Sequence, residues 1–572
     1  MNGVFLKLCG RDAGVLLDEL LSARVTGMRE GEVKRALLFD ESGRQIDTVS
    51  VKNMGRHDVE TGANEPCYAV CCHRDEAVRR HIEESGSSKG KPGRKFRMSS
   101  LPQVEGMAVG EVSFDSSAGR ALVDITKPFF VGQSAIEAAF APAPLPEWQA
   151  LGQPGRKTPP KTLLGREHER LDVTHWGPFG SATMPIQYGT GPEAIGREHM
   201  ATRCAAALYD VSHMLPIIIK GRDARAFLET ALVAPVSRLA PGRCQYQGMC
   251  LPDGTPLDDL YLCYLEHDFR TGEDVYLLIA NSGHEDDLYF LEAMAAGSVM
   301  IDSVMPFKRF EGDVAFVSRL RESTRAEKWS APLYSVSVQG PKSREILTAV
   351  VSEDQKQRIE ALTFNDLATG VTLVGGCNAV VTYTGYCGEP VGYEVYVEGD
   401  RLIGLWRALV SAGAKPAGLG ARDSTRQEAG LPLFGHEIGG ADVIPFTGGR
   451  YPKMVAFEKP FFVGRAGALA AKEIQTHRVV LMAGEGPRKV SAGWNVYDEK
   501  GNLVGRATST STVRPGRSDM AQAYVEEKCA VAGKRLLVAS PNRMLSQGKP
   551  SGARPFVVET WNKARDYDCS EG

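Results

Sequence analysis

An internal repeat is the feature that most restricts the fold of this sequence. Gly10-Arg-Asp-Ala13 reappears as Gly221-Arg-Asp-Ala224. The same ungapped offset aligns three further pairs, Gly31 with Gly242, Gly43 with Gly254 and Asp47 with Asp258. A repeat at one fixed offset indicates a supersecondary unit that is present twice. At a larger offset Lys127–Gly132 matches Lys459–Gly464, so we predict that the N-terminal part is a shortened copy of the later part of the chain.

The two copies differ at polar positions. Tyr246 aligns with Arg35, and Asp259 aligns with Thr48. Because the glycines and the apolar pattern agree while a phenol and a carboxylate occur only in the second copy, we expect any chemistry to lie in the second copy. Asp258 and Asp259 are adjacent at the start of a predicted strand and should point to opposite faces, so only one can face a given pocket. As turn and cap residues the pair would need no function.

Length and charge exclude several classes of protein. A chain of 572 residues exceeds the roughly 150 expected for one domain, and its net charge of −3 gives no reason to expect a nucleic-acid or membrane partner. No apolar run reaches the roughly 18 residues that span a bilayer. Lys7, Arg11 and Asp12 stand where a signal peptide would be apolar. We therefore predict a cytoplasmic protein.

The cysteines favour neither a disulfide framework nor a metal site. Twelve are scattered through a long chain, for which we predict reduced thiols. The segment Cys67–His73 could hold zinc only with a second ligand pair, and the chain has no Cys-x-x-Cys pair or matching histidine pair. We therefore expect buried strand cysteines here and no bound metal.

Local patterns predict a mixed α+β protein. They indicate a short amphipathic helix at Asp223–Ala231 and strands at Asp259–Leu265 and Val275–Ala280. Ser85–Lys95 and Ala141–Pro160 have the composition of exposed loops or linkers. The basic loop could bind polyphosphate or nucleic acid, but solvated surface is the favoured interpretation.

Two later segments could carry chemistry. Glycines bracket Tyr386, and the segment then enters an alternating strand in which Glu394 lies among apolar residues. The Glu394 carboxylate is either on a solvent-exposed face of the strand or part of a functional site. Further on, Arg422 and Arg426 are one helical turn apart and could present two guanidinium groups to carboxylates or a polar heterocycle. Pairing of these arginines with Asp423 and Glu428 is the structural alternative. Asp210-Val-Ser-His213 lacks the context of a hydrolase triad.

Taken together and in order, these segments resemble the glycine-cleavage T-protein family, the tetrahydrofolate-dependent aminomethyltransferases and their demethylase relatives. The resemblance runs from about residue 172 to the end and rests on eight stretches: Met184–Gly189, Leu208–Met214, Gly221–Leu260, Ser337–Lys342, Thr384–Glu389, Gly418–Asp423, Glu428–Glu437 and Phe462–Arg465.

The resemblance implies a three-lobed α+β fold around a central folate channel, with a β-rich C-terminal lobe. It places the family's key aspartate on Asp259, with Asp258 as the fallback. Its folate-contacting residues fall on Tyr386, Glu394 and Arg422, and further pocket positions on Tyr246 and Asn281. Arg488 is a candidate contact near the glutamate tail of the folate. The implied domains are a degenerate partial repeat at 1–140, a Pro-rich linker at 141–170, folate-binding catalytic lobes at 171–470 and the β-rich lobe at 471–572.

The function so implied is transfer of a methylene or methyl unit from a small-molecule or carrier-bound donor to N5 of tetrahydrofolate. The alternatives are an O-, N- or S-demethylase that acts on a small metabolite, and a folate-binding regulatory or assembly protein without turnover. Gly254-Thr-Pro replaces the usual Gly-Gly before the aspartates, and the N-terminal repeat has no counterpart in an ordinary T-protein. We expect that repeat to serve as scaffold, homo-oligomer contact or protein-partner surface.

Overall fold

The computed structural model describes two parts of the chain, residues 4–101 and 159–560, together with Val104, Met107, Tyr567 and Cys569. Within these parts it leaves out 24, 26–27, 41–43, 57–60, 62, 87–95, 192, 296–298, 300–313, 321–327, 441, 460, 485–489, 512–518, 543–544 and 547–548. The chain divides into two compact units: Met1–Glu147 with Gly297–Lys308 and Phe457–Phe462, and Trp148–Ala296 with Arg309–Ala456 and Val463–Gly572.

The first unit consists of helices packed against one five-stranded sheet. Its helices are α1 (Ala13–Leu20) and α2 (Asp75–Gly86), and its strands are β1 (Val4–Cys9), β2 (Val33–Phe39), β3 (Gln45–Asn53), β4 (Cys67–Cys72) and β5 (Arg97–Leu101). The strands form a sheet in the order β2-β3-β4-β1-β5. Leu16 and Leu20 of α1 are fully buried with Leu6 and Leu8 of β1, so the helix covers one face of the sheet.

The second unit holds the remaining described elements. Its helices are α3 (Gly165–Arg170), α4 (Ala194–Cys204), α5 (Ala224–Ala231), α6 (Asp286–Ala295), α7 (Ser343–Val350), α8 (Lys356–Glu360), α9 (Leu402–Ser411), α10 (Leu419–Glu428) and α11 (Arg465–Glu473). Its strands are β6 (Val173–Phe179), β7 (Ala182–Tyr188), β8 (Ala207–Asp210), β9 (Leu215–Gly221), β10 (Arg243–Cys250), β11 (Pro256–Asp268), β12 (Glu273–Ala280), β13 (Ala315–Val317), β14 (Leu333–Gln339), β15 (Leu367–Leu373), β16 (Cys377–Thr382), β17 (Gly392–Glu398), β18 (Lys415–Ala417), β19 (His477–Gly484), β20 (Asn495–Tyr497), β21 (Leu503–Ser511), β22 (Met520–Glu526), β23 (Arg535–Ala539), β24 (Leu545–Ser546), β25 (Lys549–Pro550) and β26 (Arg554–Glu559).

Three sheets organise the second unit. The first has the order β10-β11-β12-β9-β13, the second β15-β16-β17-β14-β8-β18, and β19-β22-β21-β20-β23-β26 close into a barrel. The pairs β6-β7 and β24-β25 form separate two-stranded sheets. This mixture confirms the α+β fold class and the β-rich C-terminal region. The helix predicted at Asp223–Ala231 and the strands at Asp259–Leu265 and Val275–Ala280 coincide with α5, β11 and β12.

Strand order and register confirm the internal repeat. In both sheets the second, third and fourth strands along the chain are followed by the first and the fifth. The order is β2-β3-β4-β1-β5 in the first copy and β10-β11-β12-β9-β13 in the second. Leu37 pairs with Thr48 in the first copy as Gly248 pairs with Asp259 in the second, at the aligned positions. Both hairpins then shift register close by, between Leu38 and Phe39 and between Met249 and Cys250.

The shared glycines explain part of this agreement. Gly10 directly follows β1 with φ of 142°, and Gly221 is the last residue of β9 with φ of 140°. Gly31 and Gly242 precede β2 and β10 with φ of 81° and 82°. Residues with a Cβ atom adopt such angles only under strain. The glycine spacing therefore preserves the turns that set strand order in both copies.

The expectation that all thiols are reduced is wrong for four cysteines. Cys9 and Cys67 form a disulfide, as do Cys204 and Cys569. Cys9 lies directly opposite Cys67 in the β1–β4 ladder, a proximity that sequence spacing does not show. Cys71 and Cys72 are free and buried, as predicted for strand cysteines.

Some of the predicted features lie outside the described residues. They are Arg488, most of the Ser85–Lys95 loop, residues 141–158 of the proposed linker and the Lys127–Gly132 match. The proposed linker range ends in α3, and the domain boundaries stay predictions. Across the described ranges, every helix is too short or too polar to cross a membrane.

Candidate functional site

The second copy supplies a phenol–carboxylate pair on neighbouring strands. The Tyr246 hydroxyl on β10 donates to Asp259 Oδ2 on β11 at 2.5 Å. Tyr246 is directly opposite Tyr261 in the ladder, and Asp259 lies two residues before Tyr261. Since side chains two residues apart share a face of a sheet, the ladder itself places Tyr246 beside Asp259.

Asn281, which directly follows β12, connects the two aspartates. Its Nδ2 donates to Asp258 Oδ1 and Asp259 Oδ1, both at 2.8 Å, and its backbone N–H donates to Asp258 Oδ2 at 2.9 Å. Asp258 is fully buried, whereas Asp259 is half-buried. Asp258 therefore anchors the end of β12, and Asp259 keeps an accessible side.

The surroundings of Asp259 disfavour its ionised form. Burial, followed by the neighbouring Asp258 carboxylate, raises the pKa of Asp259, although the Tyr246 and Asn281 hydrogen bonds oppose the rise. Burial and the Asp259 carboxylate also raise the pKa of Tyr246 well above its usual value. The phenol thus remains a hydrogen-bond donor to Asp259 at neutral pH.

The second sheet contributes another held carboxylate. Tyr396 donates to Glu394 Oε2 at 2.8 Å, and both residues lie on one face of β17 because they are two positions apart. Glu394 itself is half-buried. Burial raises the pKa of Tyr261 on β11, and Glu394 adds to that rise. Glu394 is therefore close enough to act electrostatically on the face that carries Tyr246 and Asp259.

Helix α10 supplies a guanidinium group that stacks on aromatic rings and keeps a spare donor. Arg422 lies over the Tyr386 ring at 5.1 Å and the Tyr209 ring at 5.9 Å. Its buried Nη1 has no hydrogen-bond partner among the described residues. The Tyr386 hydroxyl donates to the Pro432 carbonyl, which holds the ring beneath the guanidinium. The position and the spare donor of Arg422 suit an acceptor group of a ligand.

Arg426 differs from Arg422 although it is one turn away. Arg426 is 1% exposed and forms ion pairs with Glu437 at 3.0 Å and Asp423 at 2.8 Å. Glu428 pairs instead with Arg203 at 2.7 Å. The structural alternative is thus correct for Arg426. Of the two arginines, Arg422 is the one available for a ligand.

The predicted site residues come together from separate parts of the second unit. Burial raises the pKa of Tyr386, and Asp259 adds to that rise, so Tyr386 lies within electrostatic range of the Tyr246–Asp259 pair. Arg422 stacks on Tyr386, and Glu394 acts on Tyr261. The group so assembled comes from strands of two sheets, from the segments that follow β12 and β16, and from α10: Tyr246, Asp259, Asn281, Tyr386, Glu394 and Arg422.

The aromatic residues that hold this group were not predicted from the sequence. Tyr396 could have been found from its two-residue spacing to Glu394. Tyr209 under Arg422, and Tyr451, whose ring meets Tyr246 edge-on at 5.5 Å, are distant in sequence and leave no local signal. Asp210 Oδ2 accepts a hydrogen bond from the Thr162 hydroxyl at 2.6 Å and is 2.9 Å from His168 Nε2.

The chain is similar to known proteins over more than half of its length. The family model for the GCVT N-terminal domain matches residues 167–449. An aminomethyltransferase of Bacillus subtilis is 33% identical over 346 residues, which cover 59% of this chain and 83% of the relative. An aminomethyltransferase of Streptomyces coelicolor is 33% identical over 382 residues, covering 65% of this chain and 91% of the relative.

A solved structure supports the same fold. The crystal structure of the glycine cleavage system aminomethyltransferase T from Bartonella henselae has a TM-score of 0.54 and 23% identity, and the similarity covers 70% of this chain and 96% of that chain. At this identity the similarity establishes fold alone. Together with the relatives that are aligned over nearly their whole length, it shows that the chain belongs to the glycine-cleavage T-protein, or aminomethyltransferase, family.

Proposed function

We propose that this protein is a tetrahydrofolate-dependent one-carbon transferase of the aminomethyltransferase type. The observation that carries the proposal is the Tyr246–Asp259–Asn281 group beside Arg422, whose buried Nη1 lacks a partner within the described chain. A buried donor without a partner costs about 1–3 kcal/mol. Binding of a ligand with a matching acceptor would recover that cost.

The residues present fit a folate. A pterin offers several donors on one edge, and a half-buried carboxylate such as Glu394, held by Tyr396, can accept from them. Arg422 can donate to a carbonyl or carboxylate, while the Tyr386 ring beneath it provides an aromatic surface. Arg488 is proposed as a contact of the folate tail, on the family resemblance alone.

The chain's own groups would act mainly by positioning. When bound, tetrahydrofolate supplies the nucleophilic nitrogen that receives the one-carbon unit. Asp259, fixed by Tyr246 and Asn281, would orient that nitrogen and stabilise positive charge that develops nearby. No side chain has to form a covalent intermediate, because alignment of the two reactants can itself supply several kcal/mol of the barrier reduction.

We propose a carrier-bound aminomethyl unit as the donor, since the matched relatives are named aminomethyltransferases. A small methyl donor would give a different product. Methylene-tetrahydrofolate indicates aminomethyl transfer, and 5-methyl-tetrahydrofolate indicates demethylation. Product identity therefore separates the two reactions.

The test is to incubate the full chain with tetrahydrofolate and each donor class and to identify the folate product by mass spectrometry. Asp259→Asn should bind folate but transfer about 10²–10³-fold more slowly, the range found when one electrostatic stabiliser is removed. Thr48→Asn changes the same strand position in the first copy and serves as the matched control. Absence of any folate product with both donors, or undiminished transfer by Asp259→Asn, would refute the proposal.

A further inference from the structure

A buried cluster of two acidic residues and a histidine lies next to the candidate site. It includes Asp258, the residue directly before Asp259. Asp258, His284 and Asp287 offer one ligand atom each, and these three atoms lie within 4.8 Å of one another. Asp258 belongs to β11, His284 to the turn after β12, and Asp287 to the first turn of α6. The metal prediction made from the sequence concerned Cys67–His73 and did not include these residues.

The charge of this group is not balanced by the described part of the protein. Asp258 and Asp287 are both fully buried. Both carboxylate oxygens of Asp287 accept no N–H or hydroxyl group of the described residues, and no lysine or arginine there forms an ion pair with either aspartate. Asp258 lies within hydrogen-bonding range of Asp287. Two buried carboxylates in proximity are strongly unfavourable unless a cation or a shared proton neutralises them.

The donor atoms specify which cation would fit. Two carboxylate oxygens and one imidazole nitrogen are the ligands of divalent transition-metal ions, whereas Mg²⁺ rarely takes imidazole. The His284 side chain is 27% exposed and its Nδ1 is 3.4 Å from Asp258 Oδ1, so solvent reaches the group on the histidine side. Two ligand atoms that are each about 2.1 Å from one ion are at most about 4.2 Å apart, so a separation as wide as 4.8 Å would have to shorten by at least about 0.6 Å when the ion binds.

The group also has a structural consequence for Asp259. Asp258 accepts from the Asn281 backbone and side chain, and the same Asn281 amide donates to Asp259. A cation that fixes Asp258 would therefore fix Asn281 as well. Residues that orient metal ligands are commonly part of such connected hydrogen-bond networks.

We propose that Asp258, His284 and Asp287 form a binding site for a divalent transition-metal ion such as Zn²⁺ or Mn²⁺. The inference does not depend on the proposed folate chemistry. The role of the ion is to hold the β12–α6 turn, and with it Asn281, in place.

The test uses the full chain stripped with a chelator and dialysed separately against Zn²⁺, Mn²⁺ and Mg²⁺, with bound metal measured by mass spectrometry. Wild type should bind about one equivalent of Zn²⁺ or Mn²⁺ in preference to Mg²⁺, and the metal should raise its Tm. Asp287→Asn and His284→Gln should each weaken metal binding about 100-fold or more. Loss of a residue that only orients a metal ligand typically weakens binding about 10–100-fold. Asp286→Asn removes a neighbouring acid from the same helix and should retain binding.

Two outcomes would overturn the site. One is wild-type protein that binds none of the three ions, and in that case a gain in stability of stripped Asp287→Asn over stripped wild type would show that the aspartates share a proton instead. The other is equal metal binding by wild type, Asp287→Asn and His284→Gln. If Asp287→Asn fails to fold, His284→Gln still decides the matter, since this partly exposed histidine is not part of the core.

Discussion

The two copies of the repeat keep one aspartate and differ at the next residue. In the first copy Asp47 Oδ2 accepts the backbone N–H of His73 at 2.7 Å and of Arg74 at 2.8 Å. In the second copy Asp258 Oδ2 accepts the Asn281 N–H at 2.9 Å. In both, the carboxylate ties the start of the copy's third strand to the segment directly after its fourth. The first copy lacks the phenol and the second carboxylate and still keeps this contact.

The adjacent aspartates therefore have different roles. Asp258 has a counterpart that survives without Tyr246 and Asp259, so its main role is in the fold. Asp259 has none, since Thr48 replaces it. We therefore infer that Asp259, and not Asp258, faces the substrates.

The copies also differ in how they balance an acid in the first turn of the helix after the fourth strand. Asp75 in α2 pairs with Arg79 at 2.6 Å, an ordinary i,i+4 ion pair. Asp287 in α6 is four residues before Leu291 and has no such partner in the described chain. Asp75 is the first residue of its helix and Asp287 the second, so the two acids are not equivalent positions; the first is neutralised within its helix, whereas the second has no such ion pair among the described residues.

The largest expected effect comes from making the second copy like the first. Asp259→Thr introduces the residue of the first copy, which removes the carboxylate but retains a small polar side chain. We expect one-carbon transfer to fall about 10³-fold, with folate affinity changed much less. Single-turnover rates and equilibrium titration measure the two separately. A variant with equal losses in both would show that Asp259 acts in binding alone.

Outside the repeat, Glu198 should make stability depend on pH. It accepts N–H groups of Tyr188 at 2.6 Å and Gly418 at 2.8 Å, and burial raises its pKa to about 7 from 4.5. Because the folded-state pKa is raised, its contribution is fully present below pH 4.5 and is lost as the pH rises through 7. Wild type should lose about 2–3 kcal/mol over that range relative to Glu198→Gln.

The measurement is chemical unfolding of wild type and Glu198→Gln at several pH values. A stability difference between the two proteins that stays constant from about pH 4.5 to about pH 8 would contradict a raised pKa. The absolute stability of the variant does not matter for this comparison, since only the slope with pH reports the titration.

Asp47→Asn should separate fold from chemistry in the first copy. The substitution weakens charge-assisted hydrogen bonds to two backbone N–H groups, so we expect a loss of about 2 kcal/mol in the unfolding free energy of the unit that contains it. Transfer activity of folded protein should be unchanged. A large loss of kcat in folded Asp47→Asn would break the assignment of chemistry to the second copy.

The smallest expected effect is that of Tyr246→Phe. It removes the hydroxyl that donates to Asp259 at 2.5 Å but keeps the ring. We expect kcat/KM to fall about tenfold, which corresponds to about 1.4 kcal/mol, near the upper end of what one ordinary hydrogen bond contributes. In an Asp259→Thr background the same change should have almost no effect, and an additive loss would show that Tyr246 acts independently of Asp259.

The repeat, the aligned register of its two copies and the grouping of Tyr246 with Asp259 could all be predicted from the sequence. Those features follow from glycine positions and from residue types along single strands, both of which are local properties. Local patterns could not distinguish Arg422 from Arg426, because the two lie one turn apart on α10 and only their distant neighbours differ. They also gave no sign of the Cys9–Cys67 disulfide or of Tyr209 and Tyr451, which hold the site in place.

Which polar groups are satisfied and which stay available was settled by tertiary contacts. Arg426 meets Glu437 in the interior, while Arg422 stacks on Tyr386 and Tyr209 and keeps an N–H without a partner in the described chain. Asp258, His284 and Asp287 become neighbours only when the turn after β12 folds back on β11. The physical reason is that hydrogen bonding and charge balance depend on three-dimensional proximity, which periodicity along the chain does not encode.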